Sequence, residues 1–533
     1  MSKLTNNLTD EGYYIEPESI VYNFVNLWAK TLNGKYFRSG AMSGDEINLH
    51  FTRLQIDGYP SGAHSMTQGN LGFGGIMNEM LDGTSQLFCR ILFHVKAPEN
   101  SDVVRTACDH LNKALMALFE KSRKKLFIVN GLVVILGILV ICADWAMSVK
   151  LLNCSSAQSI FKGFMLQYHK DDFRTFVGKK ATDLPRTKWI DSLENRKKLY
   201  QERKAHEAKV RATRVSESKF EAEMKEWMRE ERNPQLGCPL DVAENVVHCT
   251  LHGKMRFVAS NCKGLSSRYS NFVVLLEEHT YLKSIAKDLS TNKSSINMTG
   301  KMASYYFRNA GRIVEPLLKN EESLEQLLLL ANLYVLFQVR DVIGLVNTTR
   351  EHTTETINCV AESGMLAQSA YQLVFTGDEL LPYVCALAFD LPIQLTLLLE
   401  YCKSKNIPLD TTGMNCSQGE LLNKILKTLI HRASSHSHID GTEVDISKHT
   451  GSECFRAYVH EFMVKEKAFV LDMHTHKLAD VYDDDVEEET ERKDTHRLTK
   501  VLIIPKKMIY SCFHCILCSF CRFSKLFAPV CSH

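Results

Sequence analysis

At 533 residues the chain is long enough for about two to four domains. Its 45% apolar and 24% charged residues are the mix of packed cores, which excludes global disorder. A formal charge of +2 supplies no overall field to draw the molecule onto nucleic acid, so any such binding has to come from local patches.

Residues 1–123 read as a small α+β domain. In EINLHFTRLQI, Ile47, Leu49 and Phe51 alternate on one face before the register shifts to Leu54 and Ile56, as in a strand with a bulge. A glycine-rich stretch follows, then a second strand, QLFCRILFHV. Next comes an amphipathic helix capped by Ser101 and carrying Val104, Cys108, Leu111 and Leu115. The glycines spell no dinucleotide fingerprint, because Met77 stands where a third glycine belongs after Gly72 and Gly74. The opening MSKLTNNLTDEGYY is polar and does not read as a secretory signal.

KSRKK at 121–125 then runs into LFIVNGLVVILGILVICA, residues 126–143. At 1.5 Å per residue an apolar run of this length covers roughly 27 Å, close to the hydrocarbon thickness of a bilayer. Asn130 is its one polar side chain, and Trp145 stands where an interfacial aromatic would. The expectation is one transmembrane helix over 124–147, with a buried core segment rich in β-branched residues as the competing reading. Residues 148–184 are a connector.

Residues 185–234 are dense in charge, basic in the first half and more acidic in the second. A thin apolar stripe runs through Trp189, Leu193, Phe220, Met224 and Trp227, and Pro234 supplies a stop. One long solvated helix is expected, since no heptad persists long enough to specify a coiled coil. Residues 235–470 form the main body, read as about five to seven antiparallel helices in a bundle, with an irregular solenoid as the alternative. EESLEQLLLLANLYVLFQVRDVIGLV, apolar nearly all round, is the centre of its core. Phe375, Thr376, Gly377 and Asp378 separate two helices, and Asp390, ahead of Leu391 and Pro392, reads as the N-cap of another. The fold class is therefore mainly α, with a small N-terminal α+β domain, one membrane helix and one long charged helix.

Residues 471–500 are an acidic linker of disordered composition, and 501–533 a cysteine-rich apolar tail. In that tail Cys512, Cys515, Cys518 and Cys521 recur at every third position. The spacing suits zinc or an iron–sulfur cluster, yet consecutive x2 steps leave little chain for a tetrahedron, and Arg522 replaces the proline of a bacterial ferredoxin run. Aromatic and aliphatic residues between the thiols, with Lys506 and Lys507 upstream, also suit S-acylation or adsorption to a membrane, and the abrupt change of composition fits equally a poorly ordered terminus or read-through past the coding end.

FVLDMHTH, residues 469–476, resembles the first metal-binding strand of amidohydrolase-type barrels, which implies His474 and His476 as ligands of a divalent metal. The resemblance covers these eight residues, and the chain that follows has no room for the strands such a barrel needs. His431, His436 and His438 belong to a polar loop. The 17 cysteines are otherwise scattered through apolar stretches, as at Cys89, Cys108, Cys359, Cys385 and Cys402, which points to a reducing compartment. The basic stretch from Arg196 to Arg214 is a candidate for RNA, but Glu202 and Glu207 interrupt it and a solvated helix face is the better account.

By the positive-inside rule Lys121, Arg123, Lys124 and Lys125 would be cytosolic and the body luminal. There, Asn-x-Ser/Thr triplets at Asn7, Asn153, Asn292, Asn297, Asn347 and Asn415 could carry glycans. Numerous thiols and an acylated tail both demand the cytosol instead, and a cytosolic body is preferred. The expectation is a single-pass, membrane-associated, non-enzymatic helical scaffold or adaptor for a protein partner, with no cofactor and no role in nucleic-acid binding. The alternatives are a metal-dependent hydrolase using zinc at His474 and His476, and an RNA-coating helical protein of viral type.

Overall fold

The computed structural model describes residues 12–32, 42–61, 64–74, 89–95, 97–98, 102–144, 176, 178–185, 193–230, 245–293, 295–320, 323–349, 351–374, 382–404, 406–411, 415–416 and 420. Helix accounts for 65% of the described part, so the mainly α expectation holds there, but an eight-stranded mixed sheet stands beside the helices.

The N-terminal region is built from β1 (Gly12–Tyr14), α1 (Pro17–Leu32), β2 (Met42–Ser43), β3 (Glu46–Ser61), β4 (His64–Gly74), β5 (Cys89–Val95) and α2 (Asp102–Arg123). The sheet does not stop at residue 123. It continues through β6 (Ile128–Val129), β7 (Leu132–Ala143) and β8 (Asn245–His248). The strand order is β1-β5-β4-β3-β7-β6, with β2 paired to β3 and β8 paired to β7.

The expected membrane helix over 124–147 is thus corrected: its apolar run is a β-hairpin whose long arm lies inside the sheet. Three local causes act in sequence. Lys125, at φ 56°, ends α2 in a left-handed residue, and the Leu126 N–H bonds back to Lys121 O while Lys125 N–H bonds to Ser122 O. Asn130 and Gly131, at φ 50° and 85°, then form a tight turn of the kind that closes two-residue hairpins, with β-branched residues on both sides. Finally, β7 runs parallel to β3, from Glu46 opposite Val133 to Leu54 opposite Ile141, and parallel to β8 at its far end. A parallel strand covered on both faces needs an unbroken apolar sequence, the same composition that a bilayer demands. Val134, Val140, Ile141, Cys142 and Ala143 are accordingly buried. Gly137 faces the backbone of β3 so closely that a Cβ there would overlap the carbonyl oxygen of His50.

The single charged helix over 185–234 is also corrected. The described part is an antiparallel hairpin of α3 (Leu193–Ala212) and α4 (Glu217–Glu230), broken at Arg214, whose φ is 52°. Val210, Phe220 and Met224 form a small apolar cluster between the two helices, with Val215 and Trp227 packed against it. His206 stacks on Trp227 at 4.7 Å, and the Arg211 guanidinium lies 4.0 Å over the Phe220 ring.

The body follows β8 as α5 (Thr250–Arg268), α6 (Phe272–Glu277), α7 (Lys283–Ser290), α8 (Gly300–Asn320), α9 (Ser323–Thr348), α10 (Thr354–Val374) and a helix, α11, over 382–404. The side chains of Phe257, Tyr306, Leu329, Leu336, Val339, Val360 and Leu395 are buried among these helices. Tyr306 donates its hydroxyl to Asn261 Oδ1 at 3.0 Å, which gives both buried oxygens a partner in that interior. Asp390 is not an N-cap. It closes a wide turn, Ala386–Asp390, in which the Leu391 N–H reaches back to Ala386 O, and α11 runs through it. Pro392 has no N–H to give, and this loosened turn lets the helix continue past it.

Among the described residues two helical segments, Leu324–Thr348 and Tyr383–Ser404, are long and apolar enough to cross a membrane by length and composition alone. Within the fold 50% and 78% of their apolar windows are buried.

Candidate functional site

The parallel strands β3, β7 and β8 bring three distant chain segments together where β7 and β8 end. Cys142 stands next to last in β7, opposite Val247 of β8. One residue beyond β8, Cys249 occupies the N-cap of α5, and His252 follows in its first turn. The third segment is the turn at Asn415–Cys416, which side chains of β3 hold in place. Arg53 donates from Nη1 to Asn415 O at 3.2 Å, and Gln55 from Nε2 to Cys416 O at 3.2 Å. The Glu420 N–H also donates to Cys416 O, at 2.9 Å, which ties Glu420 to Cys416.

The three sulfurs lie within 4.8 Å of one another and all three cysteines are fully buried, with Leu251 packed against them. His252 joins them through Nδ1, 3.3 Å from Cys249 Sγ, while its Nε2 lies 3.3 Å from Glu420 Oε1. The Cys416 N–H donates to Cys249 Sγ at 3.2 Å, and the Cys416 thiol reaches Cys142 O at 3.8 Å. The start of α5 is fixed from outside as well. Thr250 donates to Asn347 Oδ1 at 2.7 Å, and the His248 N–H to Gln394 Oε1 at 2.7 Å. Two of the glycosylation triplets are therefore engaged in the fold, Asn347 through this bond and Asn415 through burial.

The electrostatics of the cluster are uneven. Burial works to raise the Cys249 thiol, but hydrogen bonds from Cys142 and Cys416 and the neighbouring His252 hold it well below the usual thiol range. Burial works to lower His252, and it is overcome by the charge and hydrogen bond of Cys249 and by Glu420, so the imidazole sits well above its ordinary value. Cys142, through its bond to Cys249, and Cys416, through burial, are both raised. Cys249 is thus the most acidic sulfur of the group, with His252 against it. A nucleophile must meet its substrate, and these sulfurs are closed to solvent. What the geometry offers is a set of soft donors held from several sides.

His474, His476, Cys512, Cys515, Cys518 and Cys521 lie outside the described residues. Of the basic stretch, Lys204, Lys209, Arg211 and Arg214 are exposed, and Arg211 is engaged with Phe220, with Glu207 at 3.5 Å and with Glu217 at 3.9 Å. Sequence reasoning missed Cys142, Cys249, His252 and Cys416. The one local signal was the Cys-x2-His spacing at 249–252, where an apolar run gives way to a helix.

No protein-family model matches the chain, and no curated protein matches it.

Proposed function

We propose that the protein is a non-enzymatic helical scaffold that binds a protein partner through the α3–α4 hairpin. The observation that supports this reading is the self-contained packing of that hairpin. Val210, Phe220 and Met224 satisfy one another, so the outer surfaces are left to charge. Lys209 and Arg214 are exposed on or just after α3, and Glu221 and Glu223 on α4, so exposed charge of both signs covers the hairpin. A partner carrying an acidic and a basic helix side by side complements such a surface, and charge of this kind sets orientation and partner choice more than raw affinity. We place membrane attachment, within the same proposal, on acylation of Cys512, Cys515, Cys518 and Cys521 and no longer on residues 126–143, which are built into the sheet.

The test is charge reversal on the full chain, Lys209→Glu with Arg214→Glu, and separately Glu221→Lys with Glu223→Lys. Proximity labelling should show the same proteins dropping by roughly tenfold in both variants, about 1.4 kcal/mol of binding, while the melting temperature is unchanged. An unaltered set of labelled proteins contradicts the proposal.

A further inference from the structure

We propose that Cys142, Cys249, Cys416 and His252 form a Cys3His site for a single zinc ion, which fastens the sheet to the helical body. The inference is independent of the scaffold reading. Three sulfurs within 4.8 Å of one another, with an imidazole nitrogen 3.3 Å from one of them, approach the spacing that one ion imposes. Thiolates about 2.3 Å from a tetrahedral zinc stand about 3.8 Å apart.

The surroundings of the donors agree with that use. A ligating histidine characteristically gives its second ring nitrogen to a carboxylate, and His252 turns Nδ1 to Cys249 Sγ and Nε2 to Glu420. With the proton on Nε2, Nδ1 presents the lone pair a metal needs. Cys249 receives a backbone N–H from Cys416 and stands at the N-terminal end of α5, both of which favour a thiolate. Arg53 holds the Asn415 carbonyl, next to Cys416, and its positive charge there would offset part of the net negative charge of three thiolates on one divalent ion.

Chemistry narrows the metal. Three thiolates and an imidazole suit zinc and exclude calcium and magnesium, which take oxygen ligands. Four protein donors leave no open coordination position, as in structural rather than catalytic zinc sites. Zinc takes thiolates and neutral imidazole, so loading releases the displaced protons to solvent, and the binding energy becomes folding energy. The three cysteines come from positions 142, 249 and 416, so the ion would join β7, the start of α5 and the turn that follows α11.

The experiment uses full-length protein. Elemental analysis should find one zinc per chain, retained when Cys512, Cys515, Cys518 and Cys521 are changed to serine and His474 and His476 to alanine, and lost in Cys249→Ser. Because Cys249→Ser could fail to fold, X-ray absorption on the unaltered chain provides a second readout. It should give three sulfurs at about 2.3 Å and one nitrogen at about 2.0 Å. Glu420→Gln, which leaves all four donors in place, should weaken zinc by about 10- to 100-fold in competition with a chelator. Folded protein without zinc, zinc that leaves with the tail variant, or a disulfide mapped between any two of Cys142, Cys249 and Cys416 overturns the proposal.

Discussion

The amide of Leu136 donates to the hydroxyl of Ser122 at 2.7 Å, and the same hydroxyl donates to Val134 O at 3.1 Å. One serine at the end of α2 thereby closes the open stretch of β7, between the residues paired with β6 and those paired with β8. Ser122 is fully buried, so Ser122→Ala leaves an N–H and a carbonyl without this partner. We expect a loss of about 2 kcal/mol in urea unfolding. A loss below about 0.5 kcal/mol, the range of an ordinary surface substitution, would show that the hydroxyl is not the fastening.

The turn at Asn130–Gly131 makes a second prediction. Gly131 sits at φ 85°, a conformation that side chains resist, while a Cβ there meets open space. Gly131→Ala should therefore destabilise by about 1–2 kcal/mol through backbone strain alone. The opposite holds if 126–143 is a membrane helix, where alanine is the better residue. Thermal melts of the purified variant decide between them.

Stability should fall with acid through two histidines that are not members of the thiol cluster. Burial lowers His94 to about 4 and His352 to about 4, from an ordinary value of 6.5. Both are held neutral in the fold, so the unfolded chain binds more protons between those values. Their stabilisation is complete above about pH 6.5 and is lost as pH falls towards 4, by at most roughly 3 kcal/mol each. Urea midpoints across this window should decline, and His94→Gln and His352→Gln should each flatten the slope. A slope unchanged in both variants removes these groups from the account.

The charged hairpin should behave as a local unit. Phe220→Ala deletes the ring beneath Arg211 and opens the small cluster with Val210 and Met224. Amide exchange over residues 206–227 should accelerate at least about tenfold, while the unfolding midpoint of the body moves by less than about 0.5 kcal/mol. Equal loss in both regions would mean that the hairpin is part of the main core.

What the sequence made legible was mostly periodic. Alternation at Ile47, Leu49 and Phe51 gave β3, the spacing of Cys108, Leu111 and Leu115 gave α2, and the apolar run over 321–346 gave the long helix α9, which leaves Leu324, Leu327 and Leu330 exposed. Residues 126–143 were misread because hydropathy cannot separate lipid from a sheet covered on both faces. The deciding signal was the Asn-Gly pair, whose turn chemistry outweighs the count of apolar residues. The charged helix was read as one because Arg214 carries no mark of a break, unlike a proline or glycine. The thiol cluster was hidden for a different reason. Its cysteines are separated by more than a hundred residues, and parallel pairing of β7 with β3 and β8 is a long-range contact that no local pattern announces.

Hydrogen exchange on the full chain in detergent-free buffer tests the placement of β7 most directly. Everything said of Cys142 depends on that placement. The amides of Leu132–Ala143 should be among the slowest in the protein, exchanging only on global unfolding. Rapid exchange of that segment in buffer, or protection that appears only when detergent is added, would contradict it.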